Sequence, residues 1–373
     1  MTQELWLVIM RIFQNIGLTQ GYRKYYRSLP VRASFAEAVE QFLDTRYGAP
    51  HILLPVLSAS PDAFCTNGDD LHLQSLWSRE RGLQTNDLTE ILLAQIEQHR
   101  TEVFYNLDPV RYDRAFLRRL PGCVKTTVCW RAAPSGRTDL TGYDLVVCNF
   151  PSILDDWRRK GCRVEYFFPA HDPAMDAYAD MRPADLDLIF IGGFSRHHVN
   201  RSWALQAAAS TPGIRARFHL EDSRLTRLVN LVPFVPGLSS YRHPGAIRAR
   251  RAGPLYGRDL YAALARTRIV LNGAVDMAGG DRGNMRCFEA TGCGAVLLTD
   301  SGSYPEGFVD GETMLTYSSP DEIPQLIQRL LRELSWADFI AKAGYAMVRD
   351  RYSKERQWAR FQELVGAAVR PQS

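Results

Sequence analysis

A chain of 373 residues, 46% hydrophobic and 23% charged, exceeds one ordinary core and suits two globular domains. That composition excludes a disordered or fibrous chain, and a net charge of only +4 argues against a nucleic-acid partner, which calls for a denser basic face. Arg greatly outnumbers Lys, a bias that fits a bidentate hold on an anionic ligand.

The seven cysteines (Cys65, Cys123, Cys129, Cys148, Cys162, Cys287 and Cys293) show no CxxC spacing and mostly sit in apolar runs. They read as buried thiols in a reducing compartment, with neither a disulfide framework nor a metal site. LWLVIM (5–10) is too short to span a membrane and no signal-cleavage pattern follows it, so a cytoplasmic protein is expected.

In chain order the strand-length apolar runs of the first half are LWLVIM (5–10), HILLPVL (51–57), EVFYNL (102–107), KTTVCW (125–130), YDLVVCNF (143–150) and RVEYFF (163–168). Helix-period stretches such as FAEAVEQFLDTRYG and LTEILLAQIEQHR lie between them. Continuous apolar strands alternating with amphipathic helices predict a parallel sheet covered on both faces. Were a reaction to need a general base in this half, Asp108, just past the strand EVFYNL, has the topological place for it, with His171 and Asp172, after RVEYFF at the domain hinge, as alternatives. Capping a turn before Pro109 and bracing a linker are their ordinary alternatives. GDD at 68–70 reads as a turn.

The pattern pauses at PAHDPAMDAYADMRPAD (169–185), which has no apolar period. It restarts with LDLIFIGGFS (186–195), ARFHL (216–220), VNLVPFV (229–235), RIVLNGAV (268–275) and GAVLLTD (294–300), and the tail over 335–369 is helical by period. The expected organisation is an N-terminal domain over 1–170, a linker over 171–185, a C-terminal domain over 186–345 and a C-terminal helix over 346–373. Two such α/β halves imply two Rossmann-like domains facing across a cleft, with ligands beyond the carboxyl ends of the strands.

Chemistry-bearing residues concentrate in the second half. LDLIFIGGFSRHHVNR (186–201) predicts a strand, a turn at Gly192 and Gly193 that lets a phosphate approach, and Arg196 or Arg201 to neutralise it. Asp185-Leu-Asp187 has the form of a metal-binding Asp-x-Asp, but it leads into that strand and reads as chance. In AGPLYGRDLYAALARTRIVLN (252–272) a turn with Tyr256 is placed to hold a nucleobase, a plain surface loop being the alternative.

DRGNMRCFEATGCGAVLLTD (281–300) then reads as a loop, a helix that begins near Met285 and ends at Gly292, and the strand GAVLLTD. A helix N-terminus offers free N–H groups and partial positive charge to a diphosphate, and Arg286 in the first turn adds a cation. Glu289 lies three residues on, where a carboxylate can accept from a ribose diol. A surface glutamate beside an ordinary helix-to-strand turn accounts for the same residues. The basic run YRHPGAIRARRAG (241–253) offers a patch for an anionic acceptor or, through peripheral association, a lipid surface; a solvated loop is its alternative.

The order of these motifs, GRDLYAALARTRIVLN, an acid-containing loop, RCFEATGCGAVLLTD, GFVDGETMLTYSSPDEI and RYSKERQW, resembles the CgeB-like group of GT-B glycosyltransferases, in the glycosyl transferase family 1 and family 4-like clan. The resemblance covers roughly the C-terminal half. It implies two Rossmann-like domains, C-terminal helices packing back toward the N-terminal domain, and a nucleotide-diphospho-sugar donor (UDP-, GDP- or dTDP-linked) on the C-terminal domain. The acceptor, a glycan, a lipid-linked saccharide or a protein, would lie on the N-terminal domain. It places Glu289 on the donor ribose and Arg286 near the diphosphate; Asn284, at the helix start, is a further candidate for binding the donor. Retaining members carry two acids with seven residues between them; Asp281 and Glu289 have that spacing, with Asp in place of the usual first Glu. Where members carry an acid after the Trp at 130, this chain has Arg131. The expected activity is metal-independent sugar transfer in polysaccharide biosynthesis with no cofactor. An epimerase or hydrolase of nucleotide sugars and a non-catalytic binding module are the alternatives on the same fold.

Overall fold

The computed structural model describes residues 10–179, 184–194, 199–222, 224–231, 242–273 and 276–368. The chain forms two compact units. One comprises Met1–Thr45, His51–Phe168 and Glu355–Ser373, the other Arg46–Pro50 and Pro169–Lys354.

The first unit is built on six parallel strands: β1 (Ile12–Asn15), β2 (Ala63–Thr66), β3 (Val103–Asn106), β4 (Thr126–Trp130), β5 (Leu145–Cys148) and β6 (Val164–Tyr166). They lie in the order β2-β1-β3-β4-β5-β6. Every residue of β1, β3 and β5 is buried, as expected for strands covered on both faces. The helix Lys354–Ala368 supplies Phe361, Leu364 and Val365 to the cluster formed by Ile12, Val103, Tyr105 and Val147. Gln357 Nε2 donates to the carbonyl of Phe168 at 2.8 Å. The last helix therefore completes the N-terminal core, as the resemblance implies.

The second unit has β7 (Leu186–Phe194), β8 (Ala216–Asp222), β9 (Arg251–Ala252), β10 (Thr267–Leu271), β11 (Val296–Asp300) and β12 (Leu315–Tyr317), again all parallel. Their order is β12-β11-β10-β7-β8-β9, so the sheet grows one way from β7 and then the other. Such a reversal leaves a crevice at the carboxyl ends of the two central strands, here β7 and β10.

Several expectations fail locally. HILLPVL is helical, with a 3₁₀ turn at Ala49–His51 and an α-turn at Leu54–Leu57. Pro55 suits a helix start but has no N–H for a sheet ladder. The strand of that region is AFCT (Ala63–Thr66) instead. LWLVIM falls almost wholly outside the described residues, and IFQN just after it forms β1. In VNLVPFV, Val229–Leu231 close the helix Arg224–Leu231 and the remainder lies outside the described residues. The basic run at 241–253 is not a plain loop, for it contains the helix Gly245–Ala249 and β9. Arg250 donates to the carbonyls of Ile214 and Ala209, and Arg251 pairs with Asp222 at 2.5 Å. Those two arginines hold the edge of the sheet. The stretch expected as a linker, 171–185, belongs to the second unit, and the tail is two helices, Leu334–Arg351 and Lys354–Ala368.

Among the described residues no helix is long and apolar enough to cross a membrane. A Cβ on Gly344, in the helix Leu334–Arg351, would stand 2.6 Å from the carbonyl oxygen of Thr313. Gly344→Ala is therefore expected to cost about 1–3 kcal/mol through overpacking. Gly366→Ala, with nothing within 4 Å, should be neutral or stabilise its helix by about 0.5–1 kcal/mol. Urea midpoints of the two variants check both signs.

Candidate functional site

At the carboxyl edge of the second unit's sheet, β7 and β10 part and their loops bring side chains together. Arg201, on the helix Val199–Ala209, donates through Nη1 to the carbonyl of Gly193 at 2.6 Å. Its guanidinium lies over the ring of Phe190 at 5.7 Å. Arg282, on the loop after β10, is paired through Nε with Asp300 at 2.7 Å and donates from Nη1 to the carbonyl of Gly279 at 2.9 Å. With Gly273, Ser301, Tyr317 and Ser318 these arginines line a cavity of about 450 Å³. That volume is within the range of small-molecule sites. Tyr317 is fixed by a bond from its hydroxyl to the carbonyl of Asn272, 3.2 Å.

Beside the cavity the helix Met285–Gly292 starts at Asn284, whose side chain does not cap it. Asn284 Nδ2 instead donates to Asn272 Oδ1 at 3.3 Å, holding the helix start to the end of β10. The Asn284 side chain thus leaves the first turn uncapped, with Cys287 N–H on the Asn284 carbonyl at 2.9 Å, and a helix start of this kind suits an anion. Arg286 leans onto the sheet, donating from Nε to the β7 carbonyl of Ile191 at 3.3 Å and from Nη1 to Glu289 Oε2 at 2.5 Å. Glu289 is only 3% exposed. Burial pushes its carboxyl up, and the Arg286 guanidinium opposes that rise. Tyr261 stands nearby on the helix Gly257–Ala265, bonded through its hydroxyl to Asp172 Oδ2 at 3.2 Å, and burial raises the phenol.

Gly192 and Gly193 do not form a turn. They continue β7 and pair with Leu220 and Glu221 of β8, because the strand runs on to Phe194. Arg196 lies outside the described residues. Tyr256 is not on an open loop: it is the N-cap of the helix Gly257–Ala265, 9% exposed, with its ring edge-on to Tyr47 at 6.2 Å. Burial and the neighbouring Glu221 raise its phenol. Asp281 is half-buried and joined to Ser303 by an isolated parallel bridge. Arg286, expected as a cation for the diphosphate, places Nε on the Ile191 carbonyl and Nη1 on Glu289. Asp187 pairs with Arg215 at 3.0 Å and Asp185 with Arg266, so Asp-Leu-Asp holds the entrance of β7.

His171 has the geometry of a brace. Its Nε2 donates to Asp176 at 2.7 Å, its backbone N–H to Tyr352 at 2.7 Å, and its ring abuts Gly292, where a Cβ would come within 2.9 Å of Nδ1. Asp108 sits in the first unit, whose own strand order reverses at β1 and β3. There Asn15 Nδ2 donates to Asn106 Oδ1 at 2.9 Å, Asn106 Oδ1 accepts from the Asp108 N–H at 3.0 Å, and Arg111 pairs with the Asp108 carboxylate at 3.1 Å. GDD is a turn, as expected. Asp70 caps the helix Leu71–Glu80 and Asp69 pairs with Arg23 at 2.5 Å.

Arg282, Asp300 and Tyr317 were not singled out by sequence reasoning. The signal available was Arg282 within the DRGN loop, but its partner Asp300 closes a different strand.

These features have relatives. Residues 196–363 match the family model described as glycosyl transferase-like. HepE of Anabaena, solved in complex with UDP and glucose, superposes with a TM-score of 0.59 at 13% identity, covering 96% of this chain and 100% of that one. The fold is GT-B. A glycosyltransferase from Rickettsia africae shares it (TM-score 0.58, 10% identity, 97% and 99% covered), as does sucrose-phosphate synthase from Thermosynechococcus elongatus (0.51, 14%, 83% and 84%). Among curated proteins no sequence matches this chain. The glycosyl transferase-like match of this GT-B chain spans the cavity, the uncapped helix start and the Arg286–Glu289 pair.

Burial of His171 lowers its pKa from 6.5, against the opposing pull of Asp176. A depressed folded value means that the folded state binds fewer protons than the unfolded one. The stability tied to this group is therefore complete above 6.5 and lost as pH falls through the lower folded value. His99 and His219, lowered first by burial, act with the same sign. In His171→Gln the fall of the urea midpoint between about pH 7.5 and about pH 5 should shrink without vanishing; an unchanged slope would refute the assignment.

Proposed function

We propose that this GT-B chain is a glycosyltransferase that takes a sugar from a nucleotide-diphospho-sugar and passes it to a glycan, lipid-linked saccharide or protein acceptor. The observation that carries the reading is the convergence at one sheet edge of an uncapped helix start, two arginines on a cavity of about 450 Å³, and a buried carboxylate on the same helix. In this reading Glu289 accepts from the ribose diol, and Arg201, Arg282 and the amides after Asn284 take the diphosphate. Tyr256 and the adjoining turn lie toward the base.

Departure of a nucleoside diphosphate leaves negative charge that arginines and a helix N-terminus stabilise in place, so the reading needs no metal. An inverting course would give Asp108 the role of general base on the acceptor hydroxyl. A retaining course would use Asp281 beside the donor sugar. HepE was solved with UDP-glucose as well as with UDP and glucose, which makes uridine the first base to test. All seven cysteines are free thiols, which supports a cytoplasmic setting for the reaction.

A thermal-shift series with UDP, GDP, dTDP, CMP and ADP in the presence of EDTA tests the donor site. A ligand at about a hundred times its dissociation constant adds about 2.7 kcal/mol. Stabilisation by one nucleoside diphosphate is expected, and no shift with any of them would overturn the donor reading. Arg201→Ala and Arg282→Ala should each weaken that nucleotide by about 1–3 kcal/mol while leaving the free nucleoside unaffected. Equal losses for nucleotide and nucleoside would remove the arginines from the diphosphate.

A further inference from the structure

The Arg286–Glu289 pair is more than two adjacent ligands. Glu289 is 3% exposed, and Oε2 already accepts from Arg286 Nη1 at 2.5 Å. The second donor of Arg286 is anchored on the Ile191 carbonyl of β7 at 3.3 Å. The guanidinium therefore joins the carboxylate to the central strand β7 and commits two of its donors, Nε and Nη1, to that link.

We infer that Arg286 is a positioning residue for ribose recognition: it holds Glu289 as a carboxylate anion in a fixed place and leaves Oε1 for the sugar diol. This rests on the reading of Glu289 as the ribose acceptor. The groups facing Glu289 explain why such a device is needed. Asp172 and burial both favour the neutral acid, and Tyr261 and Cys293 bring no charge while their own protons are held by burial. Arg46 lies 3.8 Å from Asp172, on the far partner of the cluster. Among the described residues facing Glu289, Arg286 supplies the charge that opposes protonation. A neutral carboxyl must give one oxygen to its own proton, whereas the anion accepts from both diol hydroxyls or from one diol and one guanidinium.

A direct phosphate ligand and a positioning residue differ in their pH signature. Calorimetric titrations with UDP-glucose, GDP-glucose and dTDP-glucose, whose diphosphate diesters stay fully ionised, are run from about pH 5 to about pH 9 on the wild type, Arg286→Gln, Arg286→Lys and Glu289→Gln. In Arg286→Gln the acid limb of the affinity profile should move to higher pH by about one unit or more. The loss would be about tenfold or more near pH 6 and recover to a few-fold near pH 9. Arg286→Lys, which keeps the charge, should shift the limb less, and it carries the test if the Gln variant does not fold. Glu289→Gln should be weak at every pH. A loss in Arg286→Gln that is uniform across pH, with Glu289→Gln still weak, would overturn the inference and keep the ribose reading. Unaltered affinity in Glu289→Gln, or no binding of the three sugars by the wild type, would overturn both.

Discussion

Parallel pairing is the constraint on which the second unit depends. When every strand runs the same way, every strand-to-helix loop leaves from one edge, and a reversal of strand order separates the two central loops. Here the reversal falls between β7 and β10. Arg201 reaches back to Gly193 from one side of it, and Asn284 reaches Asn272 from the other. The helix Met285–Gly292 is thereby pinned with its start at the crevice and its Arg286 against β7. The first unit repeats the device on its own sheet, where the buried Asn15–Asn106 bond joins the ends of β1 and β3 just before Asp108.

The second unit buries its charges in company. The Asp222 side chain is nearly fully buried and meets both His243 at 2.7 Å and Arg251 at 2.5 Å, which together hold its carboxyl below the usual range despite burial. Among the described residues Arg286 is the one cation opposing the rise of Glu289, which is raised. The contrast follows from partner number, since desolvation of a carboxylate is offset only when enough opposing charge and donors surround it. Asp222 is tied into the sheet edge, whereas Glu289 meets the Arg286 guanidinium through Oε2.

The alternation of apolar runs and amphipathic stretches was enough to read two parallel α/β halves, since strands buried on both faces must be continuously apolar. The helix Met285–Gly292 was legible from Gly292 and the change of period after it, while the strand begins at Val296, with Gly294 and Ala295 of GAVLLTD still ahead of it. Tyr256, Glu289 and Arg286 were legible as candidates because they sit in one turn or on one helical face. HILLPVL misled because hydropathy cannot tell a short strand from a short helix; only Pro55 carried the distinction. Gly192 and Gly193 misled for a related reason: a glycine pair permits a turn but does not require one, and pairing with β8 kept it extended.

The sequence by itself determined the α/β class, the division into two parallel halves and the residue types at the helix start, all of which follow from local periodicity and spacing. Tertiary structure alone decided that Arg282 meets Asp300, that Arg286 turns to Ile191 and Glu289, and that Glu289 lies beside Asp172. It also decided that the last helix completes the core of the first sheet. Those outcomes depend on which strands become neighbours across the reversal, and a parallel crossover joins residues far apart in the chain through space that no local pattern records.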